Sequence, residues 1–282
     1  MLTTTLTDFN SRIKINKLEK LGRFGWYRKL VSHYKKQTQK NVMHNLQAND
    51  IDVFDCPVDI DSAIYTVNNQ AVWCGLNLQS HLFDSILLYA KSTPCVDPKS
   101  DGILFYSHQY KTASKKQIYR GLVTNTHKCN SISAIAYNRI SLQLATKFLG
   151  HTPTKITLHL TWSFPTSPND TNVNRNYAPT NWHYDVVGCE SLTLNFYITD
   201  IRDINSGPHQ YIEKSHGKYT PQALLFSNNI INADKIEKYF GSSNKITLLG
   251  NAGFGFIENP TCIHRVKPPT TTSRLILQIR YS

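Results

Sequence analysis

The amino-acid sequence predicts a mainly β chain with flanking helices, an α+β protein whose core is a β-sandwich or jelly roll. Two observations carry this. Apolar residues at helical spacing are concentrated before Gly150, whereas after Pro153 the chain turns to short runs rich in β-branched and aromatic residues. Long polar connections rich in Asn, Pro and Thr separate those runs.

In order along the chain, 10–47 reads as helical and basic, broken near Gly22 and Gly25. Residues 51–54 and 63–67 read as β-strands, the second ending in the turn pair Asn68-Asn69. Leu78, Leu82, Phe83, Ile86, Leu87 and Ala90 predict a helix over 78–90 with Ser80 near its start, and a Pro/Ser/Asp/Gly-rich loop follows over 92–102. A single helix is expected over 131–149, stopped by Gly150 and Pro153. Strands are expected at 155–164, 191–199, 245–249, 253–258 and 275–281, a polar loop at 165–180, and a short helix at 234–240 closed by Gly241. No internal repeat or linker divides the chain. Residues 1–282 therefore read as one domain, with a helix-rich portion over 1–150 buttressing a jelly-roll portion over 151–282.

A hydrophobic content of 40% with 11% aromatics can build a real core and excludes wholesale disorder. No apolar run approaches the ~18 residues of a membrane span, and Met1-Leu2-Thr3-Thr4-Thr5 does not resemble a secretory signal, so a cytoplasmic location is expected. The six cysteines form no C-x-x-C pair, which argues against a zinc ribbon or a disulfide framework; Cys189 and Cys262 read as wall residues. Net charge is +12, and the first fifty residues hold ten Lys/Arg against Asp8, Glu19 and Asp50. Such a segment can attract an anionic membrane surface or an acidic partner, or be a solvated helix face. No nucleic-acid motif accompanies it, so nucleic acid is disfavoured, and nothing specifies an oligomeric state.

The chemistry centres on His183-Tyr184-Asp185, followed by His264 and Arg274. On a strand end, residues i and i+2 share a face, so His183 and Asp185 point together. A second histidine supplied by the fold would complete a 2-His-1-carboxylate set, the arrangement of non-haem Fe(II) oxygenases. Arg274 could grip an acidic co-substrate in a bidentate fork. Alternation places Arg274, Ile276, Gln278 and Arg280 on one strand face, which makes Arg280 the rival for that role.

Trp182-His183-Tyr184-Asp185, the run Ser206-Gly207-Pro208 through Ser215-His216-Gly217-Lys218, Ile263-His264-Arg265, and Arg274-Leu275-Ile276-Leu277-Gln278-Ile279-Arg280-Tyr281 together resemble the phytanoyl-CoA dioxygenase-like family. The resemblance covers about the last 130 residues and fades in the N-terminal half. It implies a double-stranded β-helix, Fe(II) held by His183, Asp185 and His264, and 2-oxoglutarate bound through Arg274. With O2 as the other co-substrate, succinate and CO2 would be released. The carboxylate of Asp185 implies hydroxylation, since related halogenases carry a small residue there. Desaturation, cyclisation and epimerisation share the same chemistry, and a non-catalytic jelly-roll scaffold working through the basic N-terminus is the alternative from another class. The hydroxyl that often follows such an arginine by two residues is missing because Ile276 stands there; Thr193, Thr272 or Ser273 could replace it.

Trp182, Tyr184, Trp162, His159, Arg175 and Gln278 are the candidate substrate-pocket residues, and the loop at 165–180 is the candidate lid. Its Asn174, Arg175, Asn176 and Tyr177 suit a polar, anionic or carrier-tethered substrate. His209 and His216 read as parts of a structural corner, with Gly207-Pro208 a tight turn.

Overall fold

Strands β1 (Val72–Asn77), β2 (Cys95–Val96), β3 (Leu104–Phe105), β4 (Arg120–Val123), β5 (Ile156–Ser163), β6 (Trp182–His183), β7 (Leu192–Tyr197), β8 (His209–Ile212), β9 (Ile230–Ile231), β10 (Lys245–Leu248), β11 (Phe254–Glu258), β12 (His264–Val266) and β13 (Arg274–Tyr281) pair into two antiparallel sheets. The larger has eight strands in the order β1-β11-β7-β13-β5-β4-β2-β3, and the smaller has five, β10-β8-β12-β6-β9. The structure is a computed structural model that describes residues 19–38, 48–99, 102–114, 117–186, 188–226 and 230–282.

The two faces of the large sheet do different jobs. Leu158, Leu160, Leu194, Phe196, Ile257, Leu277 and Ile279 point outward and form the main core with helices α2 (Ile60–Gln70), α3 (Ser80–Ser92), α4 (Asn130–Ala136) and α5 (Arg139–Leu149). (A further helix, Gly25–Thr38, precedes these and is α1.) The alternate residues Tyr197, Phe256 and Ile276 pack inward with Tyr211, Leu248 and Cys262 of the small sheet and its connections. Each strand of the large sheet thus offers one apolar face to the helices and one mixed face to the space between the sheets.

Several elements differ from the sequence expectation. The segment read as a strand at 63–67 is helix α2. Asp59 accepts the backbone N–H of Ser62 as an N-cap, and Ala63, Ile64 and Val67 bury one helical face. Local β propensity in Ile64-Tyr65-Thr66-Val67 loses to that cap and to tertiary packing. The strand of this region is β1, which pairs with β11. The single helix expected at 131–149 is two, because Asn138 interrupts it. Its Oδ1 caps the N–H of Ile140 while its Nδ2 donates to Ile51 O at 2.7 Å. Gly150 ends α5 in the left-handed region, with φ 72° and its N–H on Thr146 O, as expected. Strand β2 lies in the expected loop at 92–102, and β4 has no sequence counterpart. The helix Ala233–Phe240 and strands β5, β7, β10, β11 and β13 stand where the patterns put them. Of the basic N-terminal segment, 10–18 and 39–47 lie outside the described residues. A 3-10 turn at Glu19–Arg23 and helix α1 are the described parts. Among the described residues no helix is long and apolar enough to cross a membrane.

Candidate metal and anion site

Strands β6 and β12 are antiparallel neighbours, and His183 and His264 are direct partners in their register, with ring centroids 4.4 Å apart. Asp185 follows β6 on the same side, its Oδ1 3.7 Å from His183 Nε2. Ligand atoms of His183, Asp185 and His264 all lie within 4.8 Å of one another. Two backbone carbonyls orient the rings: His183 Nδ1 meets Asn181 O at 2.8 Å and His264 Nδ1 meets Cys262 O at 3.0 Å. A carbonyl only accepts, so each Nδ1 donates there, and in the neutral ring Nε2 keeps its lone pair for a cation. Burial, reinforced by the neighbouring His264, pushes the His183 pKa down to about 4, which keeps its ring neutral at ordinary pH. Burial opposes ionisation of Asp185, yet the guanidinium of Arg280 and the two imidazoles outweigh it and hold its pKa below the usual carboxylate range. Two imidazoles and one carboxylate with a free oxygen fit a divalent first-row ion.

The two rival arginines separate clearly. Arg280 does not line an anion site: its Nη2 donates to Asp185 Oδ2 and its Nε donates to Thr193 Oγ1 at 3.3 Å. That pairing leaves Asp185 Oδ1 facing His183 and ties Arg280 and Thr193 to the Asp185 side of the site. Arg274 is only 1% exposed, stacks over the Tyr197 ring at 5.6 Å, and has no hydrogen-bond acceptor on Nε, Nη1 or Nη2 among the described residues. A sealed guanidinium with three unsatisfied nitrogens is costly unless an anion completes it. Its aromatic platform is fixed from the small sheet. Tyr197 Oη donates to Leu248 O and accepts the His209 N–H, and burial pushes its pKa up to about 12. Of the proposed hydroxyl helpers, none hydrogen-bonds the Arg274 guanidinium; the residue opposite it in register is Ser163 of β5.

Sequence reasoning missed a buried acid between the sheets. Glu258, 2% exposed on β11, accepts from His209 Nε2 at 3.0 Å, Cys262 Sγ at 3.4 Å and Asn195 Nδ2 at 3.4 Å. Burial alone would raise its pKa, but the imidazoles of His209 and His264 outweigh it and bring it to about 2. His209 in turn stacks on His264, with centroids 5.4 Å apart. Glu258, Cys262 and His264 also come within ligand distance of one another. However, burial and the adjacent carboxylate push the Cys262 thiol up, so it stays a protonated donor and wall residue. Alternation along β11 placed Glu258 inward with Phe256, and an acid on an inward position is the signal that could have found it.

The pocket candidates divide by parity. Gln278 faces inward, donating to Asn195 Oδ1 at 2.9 Å, and His159 stands opposite it in register on β5. Trp182 and Tyr184 point the other way from His183 and Asp185. They pack with Ile212, Leu224, Ile231 and Ile263, Tyr184 Oη donating to Leu224 O and Trp182 lying under the Arg265 guanidinium at 4.4 Å. Trp162 points into the helix-side core, its indole near Ala90 O at 3.4 Å. These three are structural and not pocket residues, because alternating side chains of one strand cannot share a face. Arg175 is exposed on the short helix Val173–Asn176 within the expected loop. The corner reading of Gly207 to His216 holds. Gly207 takes φ +84°, Ser215 Oγ donates to Ile212 O and accepts the Ile263 N–H, and His216 Nε2 meets Asn68 O.

No family model matches the chain, and no curated protein matches it in sequence. Its fold is shared with solved structures. The non-heme alpha ketoglutarate dependent epimerase SnoN from nogalamycin biosynthesis is 13% identical over 79% of this chain and 82% of that one, with a TM-score of 0.51. SnoN in complex with Fe3+, alpha ketoglutarate and nogalamycin RO aligns with the same coverage at 12% identity and a TM-score of 0.51. The non-heme alpha ketoglutarate dependent carbocyclase SnoK, from the same biosynthesis, is 11% identical over 80% of this chain and 86% of that one, with a TM-score of 0.50. At these identities the likeness is one of fold.

Proposed function

We propose that the chain is an Fe(II)- and 2-oxoglutarate-dependent oxygenase on a double-stranded β-helix, of the phytanoyl-CoA dioxygenase-like kind. It hydroxylates a small polar or carrier-linked molecule with release of succinate and CO2. One observation carries the reading: a 2-His-1-carboxylate cluster within 4.8 Å shares the space between the sheets with a buried arginine whose guanidinium has no acceptor among the described residues. His183, Asp185 and His264 would hold the ion. Arg274 would take the distal carboxylate of 2-oxoglutarate, whose 2-oxo acid end then reaches the ion. Bound Fe(II) would supply O2 activation coupled to oxidative decarboxylation of that co-substrate. Arg280 positions Asp185, and the two backbone carbonyls fix both imidazoles before anything binds. The fold shared with the alpha ketoglutarate dependent enzymes SnoN and SnoK supports the class. Because these are an epimerase and a carbocyclase, epimerisation or ring closure is the second reading of the outcome.

The test uses purified full-length protein. Fe(II) and 2-oxoglutarate added without O2 should give a weak visible charge-transfer band, and admission of O2 should release succinate slowly. His183→Ala and Arg274→Gln should each abolish both. An unchanged spectrum with no succinate from wild-type protein sinks the reading.

A further inference from the structure

Arg120 is a third arginine on the inward face of the large sheet, beside Arg274 and Arg280, and the chemistry of the metal site leaves it unused. Register aligns Arg120 of β4 with Ser163 of β5, and Ser163 with Arg274 of β13, so the three residues form one row across the sheet. The neighbour Gly121 faces the opposite side, where an added Cβ would meet Cys95 and Phe105 of the helix-side core; Arg120 therefore points inward. Its Nε is buried without an acceptor, and its guanidinium lies over the Tyr177 ring at 5.4 Å. That ring is itself tied down, since Tyr177 Oη and Ser163 Oγ are 2.7 Å apart and Tyr177 is 3% exposed. Asp170, the acid bonded by the neighbouring Tyr119, is already engaged by Tyr119 Oη and the Asn172 N–H. No ion pair or hydrogen bond satisfies Arg120 among the described residues.

The two guanidinium groups rest on different aromatic platforms. Adjacent strands stand about 4.8 Å apart, so Arg120 and Arg274 start about 10 Å from each other. Arg274 then leans over Tyr197, on the β7 side, and Arg120 leans over Tyr177, from the segment that leads into His183. Each has its own aromatic platform, with the Ser163 hydroxyl between them.

We infer that Arg120, Tyr177 and Ser163 form a second anion subsite, beside the co-substrate grip, that receives a carboxylate or phosphate group of the substrate. This rests on the oxygenase reading for the word substrate, while the anion site itself does not. A planar fork held on an aromatic ring suits an oxyanion bound through two parallel N–H bonds, with a hydroxyl as third donor.

Inorganic phosphate is the probe. It is titrated calorimetrically into full-length protein loaded anaerobically with Fe(II) and 2-oxoglutarate, and into the Arg274→Gln variant without them. Both should bind it. Arg120→Gln should weaken binding at least about tenfold, as expected for loss of a charge-assisted pair, and Arg120→Lys, which keeps the charge and loses the planar fork, should restore only part of it. Tyr177→Leu, which keeps the arginine and removes its platform, should weaken binding about three- to tenfold. In the charge-transfer titration, Arg120→Gln should leave 2-oxoglutarate affinity within about twofold of wild type, whereas Arg274→Gln loses it. Phosphate binding that ignores Arg120→Gln, or is absent from wild type, overturns the subsite. So does an equal loss of 2-oxoglutarate in both arginine variants, which would give Arg120 to the co-substrate. If wild type takes neither Fe(II) nor 2-oxoglutarate while phosphate binding still depends on Arg120, the oxygenase reading fails and the anion site stands.

Discussion

Replacing Arg274 with methionine should make the protein more stable when no co-substrate is present and nearly blind to 2-oxoglutarate. Arg274 is 1% exposed, and none of its three guanidinium nitrogens has an acceptor among the described residues. Exchanging buried ionic groups for apolar ones of similar volume stabilises proteins by about 1–4 kcal/mol. Against that, the stack on Tyr197 is lost, a contribution of about 0.5–2 kcal/mol. The net expectation is a gain of about 1–2 kcal/mol, which for a chain of this size raises Tm by roughly 2–8 °C. The same change removes two charge-assisted hydrogen bonds to the distal carboxylate, each contributing about 1.5–3 kcal/mol. Affinity for 2-oxoglutarate should therefore fall by at least about a hundredfold. Differential scanning fluorimetry with Mn(II) in place of iron reads both effects at once. Without 2-oxoglutarate the variant melts above wild type. With co-substrate at about a hundred times its wild-type Kd, wild type gains about 2.7 kcal/mol and overtakes the variant. Curves that never cross refute the reasoning: a variant that melts lower throughout means the guanidinium is not uncompensated, and equal upward shifts mean Arg274 is not the grip.

Arg280→Met should leave Asp185 without its partner and weaken metal binding about 10- to 100-fold, read by Fe(II) or Mn(II) titration, while 2-oxoglutarate affinity at saturating metal changes little. Ser215→Ala strands the buried Ile263 N–H just before His264 and should cost about 1–3 kcal/mol in urea unfolding; an unchanged midpoint would remove the corner from the support of the site. Acid should destabilise the metal-free protein through His183, His151 and His216, whose pKa values burial lowers from 6.5, that of His183 to about 4. A folded pKa below the unfolded one means the unfolded chain binds more protons in between. Stability is therefore full above about pH 6.5 and declines as pH falls toward 4; a Tm flat across that window would contradict it.

How much of this could be read from the chain alone depends on the range of the interaction concerned. Side-chain period is built into the covalent backbone, so the inward pairing of His183 with Asp185 and the runs of β5, β7, β11 and β13 were available from sequence. The same rule should have sent Trp182 and Tyr184 outward, where they pack with Ile212 and Ile263. Helix α2 was hidden because Ile64, Tyr65, Thr66 and Val67 favour strands locally, and only burial of Ala63, Ile64 and Val67 on one side reverses the preference.

What the sequence by itself determined is the donor set and its parity: two histidines, a carboxylate and a strand with an arginine at each end of one face. What only the tertiary structure decided is which partners each arginine meets. Arg274 and Arg280 are equivalent by parity on β13. One meets Asp185 and Thr193, and the other meets Tyr197 and a site with no acceptor. The same holds for Glu258 reaching His209 and for Arg120 aligning with Ser163 and Arg274. Periodicity fixes the side to which a residue points. Which partner it finds there depends on register and on packing between sheets, set by residues far apart in the chain.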